Sequence, residues 1–211
     1  MSREYVIAID QGTTNTKAIL VDGSGQVVAK ASAPLKSAYP RPGWAEQSAD
    51  DIWASVRTVI GKIADANAAP IRGLAIANQR ETLVVWDGET GRPICPAILW
   101  QCRRTTKACE ALVKSGADPK VVEATGLSIS ALFPATKLTW VLENVPEAKT
   151  LQTQGRLRAG TVDSWLLYKL TGGREFATDH SNASRTQLFH TGRLAWDEDL
   201  CALFEIGRAH V

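Results

Sequence analysis

The sequence has no apolar run that could cross a bilayer: its longest, residues 6–9 and 18–21, fall far short of the roughly 20 residues a spanning helix needs. It has no basic-then-apolar leader, since Ser2-Arg3-Glu4 runs straight into a strand-like segment, so a cytoplasmic protein without membrane insertion is expected. Neither sign of charge dominates: 24 Lys and Arg against 22 Asp and Glu leave a net charge of +2, which gives no footprint for nucleic acid or an anionic membrane. Cys95, Cys102, Cys109 and Cys201 form no C-x-x-C pair and have no histidine at ligand spacing, which argues against a zinc site. Buried free thiols are expected instead, with Cys102 and Cys109 seven apart on one helix face. The three histidines, His180, His190 and His210, have no Ser or Cys in an elbow context, which excludes nucleophile–His–acid chemistry. Walker G-x-x-x-x-G-K-[ST] and G-x-G-x-x-G patterns are both missing, so neither P-loop nor Rossmann chemistry is supported. What remains is ordinary globular usage, 45% hydrophobic and 22% charged over 211 residues, enough for one large domain or a domain plus part of another.

Periodicity predicts an α/β chain that opens as a β-meander. Residues 5–9, 17–21 and 26–32 are short apolar runs that read as strands, and Asp22-Gly23-Ser24-Gly25 turns between the last two. After a Pro/Gly-rich loop at residues 39–44, Ser48 reads as an N-cap, with Asp50 and Asp51 in the first turn of a helix over residues 49–66. Its Ile52, Val56, Val59, Ile60 and Ile63 recur at helical spacing. Residues 71–77 read as a buried strand, followed by strands at 82–86 and 93–100. Helices are expected at 105–115, 119–125, 136–144, 161–170 and 198–203. The order predicts a layered domain with βαβ character around residues 49–77.

Four segments carry candidate chemistry. Asp10-Gln11-Gly12-Thr13-Thr14-Asn15-Thr16-Lys17 lies between two strands, where a glycine turn lets N–H groups converge on an anion. The threonines add hydroxyls, Lys17 adds a cation, and Asp10 could orient Mg²⁺; the alternative is a hairpin whose turn is merely polar. Asn78-Gln79-Arg80-Glu81-Thr82 sets a guanidinium beside a carboxylate, which suits a ligand rich in hydroxyls or else a surface ion pair. In Leu99-Trp100-Gln101-Cys102-Arg103-Arg104 the indole is either a wall against the C–H face of a polyol or part of the core. Arg103 and Arg104 could equally be solvated charges at a helix start. The polar run from Thr178 to Thr186 reads as structural hydrogen bonding.

Taken together, these segments resemble the N-terminal domain of the FGGY carbohydrate kinases and, within that family, its glycerol kinase branch. The matching pieces are Asp10-Gln11-Gly12-Thr13-Thr14, Tyr39-Pro40-x-Pro42-Gly43-Trp44-x-Glu46, Asn78-Gln79-Arg80-Glu81-Thr82, Trp100-Gln101-Cys102-Arg103-Arg104, Gly160-Thr161-Val162-Asp163-x-Trp165-Leu166 and Asn182-Ala183-Ser184-Arg185-Thr186, in family order. The resemblance implies a ribonuclease H-like, actin/hexokinase-type ATPase fold, a mixed sheet with an antiparallel N-terminal meander flanked by helices. It implies phosphoryl transfer from Mg²⁺-ATP to a terminal hydroxyl of a small-molecule polyol, glycerol to glycerol 3-phosphate in the first instance. By that likeness Asp10 sits by the metal, with Mg²⁺ expected to be reached through water, and Gly12, Thr13, Thr14, Asn15 and Lys17 line the phosphates. Arg80 and Glu81 hold substrate hydroxyls, with Trp100 as an apolar wall.

Three positions depart from the family pattern. Asn15 and Lys17 stand where Ser and Arg are frequent, and Leu132 stands where glycerol kinases carry a tyrosine that hydrogen-bonds glycerol. An apolar side chain at that point can shift preference towards erythritol, xylitol or a pentulose. The expected domain is residues 1–205, incomplete at its C-terminal end, with the second kinase domain and the aspartate base beyond residue 211. Residues 206–211 leave the family pattern and read as an artificial tail. A homo-oligomer is expected of the full-length protein. The competing classes are a non-catalytic sugar-binding module on the same half-fold and an actin- or chaperone-like ATPase lobe; Arg80-Glu81 and Trp100 speak against the latter.

Overall fold

The computed structural model describes residues 4–65 and 70–206, in two compact units. Unit 1 comprises Met1–Ser37 and Gln47–Gln79, and unit 2 comprises Ala38–Glu46 and Arg80–Val211. Residue 66 of the expected first helix and residues 207–211 of the expected tail lie outside the described residues.

Unit 1 is a four-stranded sheet with one helix. Strand β1 (Tyr5–Gln11) pairs antiparallel with β2 (Asn15–Asp22), and β2 pairs antiparallel with β3 (Val27–Pro34), as the expected meander requires. The Asp22 carboxylate closes the second turn by accepting from the backbone N–H of Ser24 and Gln26, while Gly25 takes φ +85°, a conformation open to glycine. After the two-residue β4 (Glu46–Gln47), helix α1 (Ala49–Asp65) starts where the Ser48 hydroxyl accepts the Asp51 N–H at 3.0 Å. Its Ile52, Val56, Val59 and Ile63 are buried, as are Ile7, Ile9, Ala18 and Leu20 of the sheet. Strand β5 (Ile71–Asn78) then runs parallel to β1, completing the order β3-β2-β1-β5.

Here the structure corrects the sequence reading. β5 was expected to be buried, yet it is mostly exposed, Leu74 at 42%. It is an edge strand, and α1 lies over β2 and β3, leaving both faces of β5 uncovered among the described residues. A continuous apolar run reports what a strand can bury, not what covers it.

Unit 2 is mainly helical around short strands. In chain order it carries β6 (Val84–Asp87), β7 (Ala97–Ile98), α2 (Thr106–Lys114), α3 (Asp118–Thr125), α4 (Pro134–Asn144), α5 (Pro146–Thr153), β8 (Leu157–Gly160), α6 (Val162–Leu170), α7 (His180–Ala183), β9 (Phe189–His190), β10 (Ala195–Trp196) and α8 (Glu198–Leu203). β6 and β8 form an antiparallel pair, and Leu83, Val85, Ile98, Leu138, Val141, Leu157 and Phe204 belong to one buried cluster. The strand expected over residues 93–100 shrinks to β7, because Pro93 and Pro96 cannot donate to a ladder. Cys102 precedes α2 instead of sharing a helix face with Cys109, although both thiols are buried and free.

Candidate functional site

The turn between β1 and β2 is built by a short backbone link and a buried amide network. Gly12 donates its N–H to the Asn15 carbonyl at 3.0 Å, so close that a Cβ on residue 12 would lie 3.1 Å from that oxygen. The Gln79 N–H caps the Gln11 carbonyl at 2.7 Å. Gln79 Nε2 donates to Gln11 Oε1 at 3.2 Å and to Gln47 Oε1 at 3.0 Å, while Gln47 Nε2 donates to the Thr13 carbonyl at 2.5 Å. The Thr13 hydroxyl in turn donates to Gln79 Oε1 at 3.2 Å. All three glutamines are buried, so their amides meet partners where water does not reach. Thr16 points under the sheet and shares a 2.7 Å hydrogen bond with Ser55 of α1.

The alternation of β1 and β2 then fixes what stays outside. Asp10 and Lys17 are cross-strand partners in register, both exposed, on the face opposite buried Ile9 and Thr16. Thr14 is exposed at the tip, and Asn15 Oδ1 is buried without a hydrogen-bond partner among the described residues. A carboxylate, a cation, a glycine turn and threonine hydroxyls thus lie within one hairpin, a set able to hold phosphate oxygens and a hydrated divalent cation. Among the described residues no three His, Cys, Asp or Glu side chains converge, so a metal here would rest on one carboxylate, water and phosphate.

Within unit 2, Trp100 and Leu132 line the same cleft of about 610 Å³, together with Cys102, Arg103, Cys109 and Ile129. Trp100 follows β7, with its N–H on the Thr82 hydroxyl at 3.3 Å, and its indole is 41% exposed, which is unlike a core tryptophan. Arg80 and Glu81 are not in that lining. The expected Arg80–Glu81 pairing is also absent: Arg80 is exposed, whereas Glu81 is buried and receives Arg185 Nε at 2.6 Å. Neighbours in sequence need not face each other, and Glu81 turns away because its backbone takes φ +62°. Arg104, for which a solvated charge at a helix start is one of two readings the sequence leaves open, is buried: its side chain is 2% exposed, paired with Glu46 at 2.6 Å and stacked over Trp44 and Trp140 at 3.9 and 4.6 Å.

Sequence reasoning missed the residues that hold these groups. Arg185 lies in the polar run from Thr178, where Asp179 caps α7 by accepting the Asn182 N–H at 2.8 Å, so structural hydrogen bonding is what that run provides. Lys137 is fully buried on α4 and donates to the Glu81 carbonyl at 2.8 Å and the Leu132 carbonyl at 2.7 Å. Desolvation pulls its pKa down to about 7, against the opposing pull of Cys102 and Glu81. Burial raises the Cys109 and Cys201 thiols and pushes Cys95 up to about 12, so none of these three is an activated nucleophile. Gln11, Gln47 and Gln79 carried no signal beyond two of them flanking motifs.

Comparison with known proteins fits this geometry. The profile of the FGGY family of carbohydrate kinases, N-terminal domain, matches residues 5–211. Glycerol kinases from Symbiobacterium thermophilum and Halothermothrix orenii are 47% and 44% identical, each over 98% of this chain and 42% of the relative. The chain therefore spans about two-fifths of the length of these curated relatives. Among solved structures, Plasmodium falciparum glycerol kinase with ADP superposes with a TM-score of 0.91 at 30% identity, over 97% of this chain and 41% of that one. A xylulose kinase from Rhodospirillum rubrum gives 0.87 at 26% identity, over 98% and 42%. The mixed sheet with flanking helices is thus the actin/hexokinase-type ATPase fold of the FGGY sugar kinases. No helix among the described residues is long and apolar enough to cross a membrane. The chain belongs to the FGGY family of carbohydrate kinases, of which it carries the N-terminal domain.

Proposed function

We propose that the chain is the N-terminal lobe of a cytoplasmic kinase that transfers the γ-phosphoryl group of ATP to a terminal hydroxyl of a polyol, with glycerol giving glycerol 3-phosphate. The observation that carries this reading is likeness to glycerol kinases over nearly the whole chain. In this reading the β1–β2 turn holds the phosphate end of the nucleotide. Gly12 keeps the turn narrow, Thr13, Thr14 and Asn15 line the oxygens, and Lys17 offsets their charge. Asp10 is the carboxylate that would hold a hydrated Mg²⁺ ion, which would supply charge neutralisation at the transferred group. Arg80 and Glu81 hold polyol hydroxyls, and Trp100 covers the C–H face. Positioning and electrostatics are the greater part of such catalysis, and the hydroxyl proton requires a base from the rest of the protein.

A second reading, favoured by Leu132, is a kinase for a four- or five-carbon substrate. Leu132 lines the cleft beside Trp100, where it offers contact area and no hydroxyl. The test is ADP release by the full-length protein, expected to form a homo-oligomer, with glycerol, erythritol, xylitol and pentuloses as acceptors. Fastest turnover on glycerol supports the first reading; preference for a longer acceptor moves the protein to the second. Failure with every acceptor, while ATP still binds, would favour a sugar-binding module. The 211-residue chain by itself is expected to show no glycerol-dependent ADP release above a no-enzyme control.

A further inference from the structure

Lys137 is a charge buried where an apolar chain of the same length would fill the space at lower cost. Among the described residues its ammonium pairs with no carboxylate; it donates to the carbonyl oxygens of Glu81 and Leu132 at 2.8 and 2.7 Å. These are the carbonyls of two residues assigned above to the polyol. Each belongs to a segment that needs an anchor. Glu81 is held at φ +62°, a region unfavourable for a side chain with a Cβ. Leu132 follows a turn in which the Ser130 hydroxyl accepts its N–H at 3.3 Å and the Ser130 carbonyl accepts the Phe133 N–H at 3.2 Å. The Glu81 side chain is fixed from the other direction by Arg185 Nε at 2.6 Å, and the Arg185 guanidinium lies 5.0 Å over the Phe133 ring. Phe133 adjoins Leu132, so the contacts form a closed circuit from Glu81 through Lys137 to Leu132, Phe133 and Arg185.

We infer that Lys137 is a positioning residue for the polyol: its ammonium clamps the Glu81 and Leu132 backbones together and so sets which acceptor fits. Lys137 is not among the residues that line the cleft, so it would act through the two backbones and not on the polyol itself. Loss of the clamp lets the Glu81 backbone relax and Leu132 shift along the cleft wall. The inference rests on the polyol reading of Glu81 and Leu132.

The test is steady-state kinetics of full-length parent, K137M and K137R with both substrates varied. Removing a charge-assisted donor from two buried carbonyls is expected to raise the polyol KM of K137M by about tenfold to a hundredfold. The KM for ATP is expected to stay within about twofold, because the residues of this circuit all belong to unit 2, whereas the proposed phosphate turn belongs to unit 1. K137R keeps charge and donors, so it is expected to recover most of the lost polyol affinity and to shift the ranking of glycerol against longer acceptors. Equal loss for both substrates, or K137R as defective as K137M, would overturn the inference and leave a purely structural lysine. If K137M does not fold, K137R decides: its defect must fall on polyol KM and acceptor ranking with melting temperature unchanged, and a defect spread over both substrates rejects the clamp. A parent that phosphorylates no polyol fails the functional reading itself, and the inference falls with it; an active parent with unchanged K137M kinetics fails the inference alone.

Discussion

The two units hold their candidate residues by opposite means. In unit 1 the β1–β2 turn is fastened by three neutral, buried glutamines and backbone groups, and the charged Asp10 and Lys17 stay in solvent. In unit 2 charged groups are themselves buried: Lys137 on two carbonyls, Arg104 against two indoles and on Glu46, and Glu81 on a partly exposed Arg185. On the proposed reading, neutral amides suit a turn that receives a highly charged ligand, because they add no fixed charge to compete with it. Buried ion pairs are costly to break, which favours a single geometry for a small neutral ligand whose hydroxyls must be told apart.

That contrast can be broken by substitution, most severely at Asp10. In the full-length protein Asp10→Ala is expected to lower kcat by about 10³-fold, the scale of losing one group that stabilises transition-state charge, with melting temperature unchanged because the side chain is exposed. A kcat within tenfold of the parent would remove Asp10 from the phosphate end. Next come Arg80→Ala and Glu81→Ala, each expected to lower kcat/KM by about 10²-fold. They should differ in stability: Glu81→Ala strands Arg185 and lowers the melting temperature, whereas exposed Arg80 does not. If both variants stay within a factor of about three of the parent, the polyol has been misplaced.

Gln47→Leu sharpens the comparison from the other side. It removes the amide that donates to the Thr13 carbonyl and one of the acceptors of Gln79 Nε2, so KM for ATP is expected to rise about tenfold while polyol KM holds. Leu132→Tyr is a smaller change, about fivefold in kcat/KM, the worth of one neutral hydrogen bond. An increase for glycerol supports glycerol as acceptor; a loss on a longer acceptor with no gain on glycerol supports the second reading. The least effect on activity is expected from Asp87→Asn. Hydrogen bonding from Arg156 and from the Glu89 N–H holds the Asp87 carboxyl down at about 2, below its ordinary 3.8. Its contribution to stability is therefore complete above the unfolded value and lost as pH falls from there through 2. Acid titration of the variant, followed by circular dichroism, should show a shallower loss than the parent over that window; an unchanged slope would mean that the pair adds nothing.

Much of this architecture could be read from local pattern. The meander, the Ser48 cap and α1 follow from short apolar runs, a turn glycine and helical apolar spacing, all of which act within a few residues. Helices α2, α3, α4, α6 and α8 came within two residues at their boundaries for the same reason. What escaped were features settled at a distance. The exposure of β5 depends on what lies over it, and the short β8, β9 and β10 exist only through their partners. The Asp10–Lys17 hairpin and the Trp100 segment could be singled out because turn chemistry and an aromatic among polar residues mark them. Gln47, Lys137 and Arg185 could not, since a lone Gln, Lys or Arg carries no local mark of being buried. Their roles come from contacts across 34, 56 and 104 residues of chain.

The division of labour is tested most directly by measuring both Michaelis constants of the full-length protein and of its Gln47→Leu and Glu81→Ala variants in one two-substrate matrix. The account predicts that Gln47→Leu raises the constant for ATP alone and Glu81→Ala the constant for the polyol alone. Variants that raise both constants equally would contradict it.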